Sequence, residues 1–155
     1  VQSENKDPIQ AANLFKSAYE TSRLGRPEVV EQIAVNAIPI LSSGIPIEKK
    51  NEFFNFARDA VLKQAQDFSR DARYQIIAGS FLSTTGFFDE ALAYLERARE
   101  LMPGKQMIYT ETANVLLNKG DNQKAIEVLR YVGEISPDHK AQTDDYIRKI
   151  KSGGN

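Results

Sequence analysis

A chain of 155 residues, 41% hydrophobic and 26% charged, has enough apolar material for a packed core and the charge of an ordinary globular surface. Its 20 Lys/Arg and 21 Asp/Glu leave a net charge of −1, and neither half carries an excess, so no basic field favours nucleic acid or an anionic membrane. The absence of cysteine excludes disulfides, thiol catalysis and Cys-ligated zinc, and no apolar run approaches the roughly 20 residues that cross a bilayer.

The opening stretch from Val1 to Asp7 lacks the basic segment and apolar run of a signal peptide. Ala11, Phe15 and Ala18 fall on one helical face and predict a helix over residues 9–22. Pro27 suits the first turn of a helix, and Val29, Val30, Ile33 and Ala34 give the stripe of a second one, Pro27 to Ile38. Pro39, Ser42, Ser43, Gly44 and Pro46 break helices, so an insertion is expected over 39–50. From Glu52 to Phe68 the pattern returns. Phe53 and Phe56 are three apart and predict a core stripe with Ala57 and Ala60, while Phe54 points to a neighbouring helix pair or outward.

Residues 72–105 and 106–139 align without gaps. Gly86 pairs with Gly120, Ala91 with Ala125, Leu95 with Leu129, Ala98 with Val132, Leu101 with Ile135 and Pro103 with Pro137, each pair 34 apart. Gln75, Ala78, Gly79 and Leu82 share one face of a first helix, as do Tyr109, Thr112, Ala113 and Leu116. Gly79 and Ala113 stand where two helices approach closely. Gly86 and Gly120 follow the last periodic residue, where a left-handed cap is wanted. Asp89 is placed to cap the second helix, and Pro103 and Pro137 stop the second helices. A final helix over 140–151 carries Asp144, Asp145, Arg148, Lys149 and Lys151 on its polar side, with Ala141, Tyr146, Ile147 and Ile150 turned inward, as a capping helix requires.

This pattern resembles the tetratricopeptide repeat, a helix–turn–helix unit of 34 residues. The resemblance implies an all-α fold, a right-handed superhelix of antiparallel helix pairs (an α-solenoid) closed by a C-terminal capping helix. Residues 1–155 would form a single domain: a half repeat over 9–22, a degenerate repeat over 26–70 with its insertion, repeats over 72–105 and 106–139, the cap over 140–151 and a tail over 152–155. The half repeat implies further chain before Val1.

No constellation for catalysis, metal or cofactor binding is visible. His139 is the one histidine and follows a Pro turn. Asp144 and Asp145 are adjacent on a helix, so they do not face each other. The family's habitual site is a concave surface lined by first helices. Carried over, it gives partner-binding candidates Arg73, Ile76, Ser80 and Ser83 in one unit and Met107, Thr110, Asn114, Leu117 and Asn118 in the next, for a protein or peptide partner. A basic clamp for a C-terminal carboxylate is not expected, because Ile76 and Ser80 stand where Lys and Asn would be and Asp144 and Asp145 put acid where base is needed.

The segment "EFFNFA", followed by "DARYQIIAGSFLSTTGFFDEALAYLERARELMPGKQMIYTETANVLLNKGDNQKAIEVL", also resembles the soluble C-terminal tail of bacterial O-antigen ligase-like membrane proteins. That resemblance implies an accessory domain on the extracytoplasmic side of a bacterial membrane, not itself inserted and without catalytic residues of its own. The alternative is a stand-alone protein, cytoplasmic or not, that self-associates through its N-terminal edge.

Overall fold

The computed structural model describes residues 7–22 and 25–153, and every regular element among them is helical. Val1 to Lys6 and the last two residues of the expected tail lie outside the described residues. The chain divides into two compact units, Val1–Ser69 and Arg70–Asn155.

The first unit holds α1 (Pro8–Thr21), α2 (Arg26–Leu41) and α3 (Ile47–Asp67). Asp7 caps α1, its carboxylate accepting the Ile9 amide at 3.0 Å, with Pro8 in the first turn. Helix α2 buries Val30, Ile33, Ala37 and Ile40, while Val29 and Ala34 of the expected stripe are half-buried. Helix α3 buries Phe53, Ala57, Ala60 and Val61. Phe56 is half-buried and meets Tyr19 of α1 edge-on, with ring centroids 5.6 Å apart. Lys16 of α1 pairs with Glu52 of α3, and Lys49 bonds the same carboxylate at 3.0 Å. The Lys16 ammonium first, and Lys49 second, pull the Glu52 carboxyl down to about 2.

The long insertion expected over 39–50 is not there. Helix α2 continues through Pro39 to Leu41, and α3 begins at Ile47, so the connection is Ser42–Pro46. Proline in a helix leaves the carbonyl four residues earlier without its donor. Here that carbonyl belongs to Val35, which is 70% exposed, and water can take the missing donor's place. The Ser43 hydroxyl then closes the helix end by donating to the Ile40 carbonyl at 2.6 Å.

The second unit holds α4 (Ala72–Thr84), α5 (Phe88–Leu101), α6 (Gln106–Lys119), α7 (Asn122–Ile135), a single 3-10 turn (Pro137–His139) and α8 (Lys140–Lys151). Gly79 packs directly under Leu95 where α4 meets α5, and Ala113 is fully buried at the matching place in α6. The two first helices end alike. Gly86 and Gly120 both take φ of 88°. The Phe87 amide bonds the Leu82 carbonyl at 2.8 Å, and the Asp121 amide bonds the Leu116 carbonyl at 2.8 Å. This is the paired-carbonyl closure that a left-handed glycine permits. One apolar cluster joins Ala72, Ile76, Ala98 and Ile108, with Leu101 packed on it. A second joins Ala113, Ile126, Leu129 and Ile147, with Val128 and Ile150 against it.

Two local expectations need correction. Asp89 lies inside the first turn of α5, which starts at Phe88, and its carboxylate pairs with Lys119 instead of capping. On α8 the inward residues are Thr143 and Ile147, with Ile150 partly covered; Ala141 is exposed, about half a turn of the helix away from Thr143, and Tyr146 is 38% exposed at the flank of that stripe.

Candidate functional site

The expected groove residues separate into two groups. On α4, Arg73 is exposed with its guanidinium 5.8 Å from the centre of the Tyr74 ring. Ile76 is buried in the cluster that ties α4 to α5 and α6, so it is a core residue and cannot line a groove. Ser83 is also buried, 8% exposed, and its carbonyl accepts the Gly86 amide at 3.1 Å. Ser80 is half-buried and donates to Glu111 of α6 at 3.4 Å, a link between two first helices.

On α6, Thr110, Asn114, Leu117 and Asn118 come together along the channel between α6 and α8. Two adjoining pockets lie there. One, of about 400 Å³, is lined by Gln106 and Thr110 from α6 and by Gln142, Thr143, Asp145, Tyr146 and Lys149 from α8, with Leu129 and Val132 at its base. The other, of about 500 Å³, is lined by Leu117, Asn118, Asn122, Tyr146, Lys149 and Ile150. Tyr146 belongs to both, and its hydroxyl donates to the Asn114 side chain at 3.4 Å. Met107 is exposed on α6 and lines neither pocket.

Helix α8 supplies half of this site, whereas its sequence pattern points to a capping role only. A signal is present all the same: Lys140 stands 34 residues after Gln106, so α8 begins in the phase of a first helix. Charge in the channel is sparse. Asp145 pairs with Lys149 at 2.9 Å, and that ammonium holds its carboxyl below the usual range. Amides and hydroxyls make up the other polar groups. Asp144 turns to Lys140 at 3.5 Å, so the adjacent acids serve separate bases. His139 is exposed in its turn, its Nδ1 at 2.9 Å from the Ser136 hydroxyl. Among the described residues no group of His, Asp and Glu is placed to hold a metal ion, and no helix is long and apolar enough to cross a membrane.

No protein-family model matches the chain, and no curated protein matches it by sequence. Solved structures do match. A thermophilic TPR protein of Thermus thermophilus superposes with a TM-score of 0.69 at 15% identity, over 95% of this chain and 82% of that one. The TPR2B domain of yeast Sti1 in complex with pHsp70 gives 0.57 at 16% identity, over 80% of this chain and 97% of that one. The Yersinia enterocolitica type III secretion chaperone SycD, in complex with a peptide of the translocator YopD, gives 0.56 at 17% identity, over 81% and 95%. The fold of this chain is that of the tetratricopeptide-repeat proteins, all-α and built from antiparallel helix pairs.

Proposed function

We propose that this chain is a binding scaffold which holds a protein partner by an extended peptide segment laid between α6 and α8. The observation that carries this reading is the pair of adjoining pockets walled by Thr110 and Asn118 on one side and Tyr146 and Lys149 on the other, floored by Leu129 and Val132, with Asn114 beside them accepting from the Tyr146 hydroxyl. Side-chain amides both donate and accept, so they match the alternating N–H and C=O of an extended backbone. The apolar floor takes a small side chain. Two of the similar structures are complexes, one with pHsp70 and one with a YopD peptide, which supports reading the channel as a place for a peptide.

Panning a random peptide library, followed by calorimetry on the selected sequences, tests this. Asn114→Ala and Asn118→Ala are expected to weaken binding by about tenfold each, the equivalent of one hydrogen bond with its partner left unmet. Selected peptides that bind both variants as tightly as the parent chain remove the proposal.

A second reading, self-association through the N-terminal edge, draws support from the first unit. Leu14 is 57% exposed, and Pro8, Ala11, Leu14 and Phe15 of α1 line a pocket with Gln32, Asn36, Pro39 and Ile40 of α2. Sedimentation decides it: a strict monomer at all concentrations excludes the edge as a dimer surface. The resemblance to O-antigen ligase-like tails supports a membrane-tethered setting, and a gene without apolar spans upstream of Val1 removes it.

A further inference from the structure

A different face of α7 carries another pocket, of about 470 Å³, between α5 and α7. Its floor is aromatic. The Tyr109 hydroxyl donates to the Pro103 carbonyl at 2.6 Å, which fixes that ring, and Tyr131 lies against it with centroids 5.0 Å apart and planes at 53°. Tyr109 is buried, but Tyr131 is 43% exposed, so an aromatic ring is open to a ligand. Val128 and Pro103 extend the apolar surface.

The rim is anionic. Glu96, Glu100 and Glu127 face one cation, Arg99, and Arg99 is already bonded to Glu96, which raises its pKa. Glu127 accepts the Gln123 amide at 3.0 Å, and the one neighbouring ammonium recorded against it, Lys124, is itself ion-paired with Asp121 at 2.9 Å. Glu100 pairs at 2.7 Å with Arg97, which lies outside the pocket lining. An aromatic floor attracts a cation through the ring face, an apolar wall suits a methylene stem, and a carboxylate rim suits the charged head.

We propose that this outer pocket is a docking site for a lysine or arginine side chain of a polypeptide partner, with the stem across Tyr131 and the charged group toward Glu127. It is separate from the channel between α6 and α8, and it allows one scaffold to engage a partner at two faces.

The test is a ¹⁵N-correlated NMR titration of the full chain with blocked pentapeptides Gly-Ala-X-Ala-Gly, where X is lysine, norleucine or glutamate. The lysine peptide is expected to shift the amides of Glu127, Val128 and Tyr131, with the channel residues Asn114 and Asn118 unmoved. Norleucine keeps the stem without the charge, and should bind at least about fivefold more weakly. Glu127→Gln and Tyr131→Ala are expected to weaken the lysine peptide by about as much, while Tyr131→Phe retains it, because the ring face and not the hydroxyl makes the contact. Both positions are exposed on the helix, and an unchanged amide spectrum outside the pocket confirms the fold of each variant. Equal binding of lysine and norleucine, preference for the glutamate peptide through Arg99, or lysine shifts that survive Glu127→Gln and Tyr131→Ala together would each overturn the assignment.

Discussion

A Cβ atom placed on Gly79 would stand 2.8 Å from Cγ of Leu95 and 3.2 Å from the Ala91 carbonyl oxygen. Leucine can shift, but the α5 backbone cannot without separating the helices. Replacing helical glycine by alanine normally gains about 1 kcal/mol of propensity, so Gly79→Ala sets two comparable terms against each other. Gly79→Leu leaves no such balance. It is expected to destabilise the second unit by roughly 1–3 kcal/mol, read as a lower urea midpoint. An unchanged midpoint would show that the α4–α5 contact is not close in solution.

Gly120 holds φ at 88° with open space around it, so the cost of a side chain there is conformational. Gly120→Ala is expected to cost about 1–2 kcal/mol. Gly104 also has open space, without a positive φ, and Gly104→Ala is expected to be neutral or stabilising by up to about 1 kcal/mol. Thermal melting of the two variants side by side isolates backbone strain, because neither added methyl group meets a neighbour.

Tyr109→Phe removes the donor to the Pro103 carbonyl. Pro103 is exposed, so water can replace the hydroxyl, and the loss is expected at the low end of about 0.5–1.5 kcal/mol. Burial, and then the neighbouring Tyr131 hydroxyl, push the Tyr109 phenol above its ordinary value. A folded pKa raised in this way means stability that is full below the unfolded value of about 10 and falls as pH rises through the folded one. Alkaline unfolding of Tyr109→Phe should therefore be less steep than that of the parent chain.

Glu52 titrates in the opposite sense. Its folded pKa of about 2 lies below its ordinary 4.5, so the Lys16 link between α1 and α3 is intact above 4.5 and is lost as pH falls toward 2. The protection of α1 amides, taken relative to the intrinsic exchange rate at each pH, is expected to fall across that window, and Glu52→Gln should abolish that fall while leaving α4–α8 unaffected. Identical exchange profiles for Glu52→Gln and the parent chain would show that Lys16 does not hold α1.

The second unit is legible in the sequence because its landmarks are steric. Gly86, Gly120 and Gly79 stand where no other residue fits well, and Pro103 and Pro137 follow the ends of their helices. The end of α2 is not legible, for a reason that lies in three dimensions. Pro39 falls in the last turn of α2, where the residue four before it, Val35, is exposed, so the abandoned hydrogen bond lies on the solvent side of the helix. Ile76 and Ser83 fall in the core and not in a groove because periodicity gives the face of a helix and not the depth of a position against its neighbours. Tyr146 and Lys149 escape notice because a polar terminal helix reads as a lid for the core, and only its phase relative to Gln106 marks it as a wall of the channel.

The matching closures at Gly86 and Gly120 make the chain divisible in units of its own period. Excising residues 87–120 would bring Asp121 directly after Gly86, offering the Leu82 carbonyl the same amide that Leu116 receives now, with Leu129 arriving under Gly79 in place of Leu95. Contraction by a whole repeat thus keeps both the turn closure and the close helix contact, so duplication or deletion of genetic material in units of 34 residues leaves those two joints as they are.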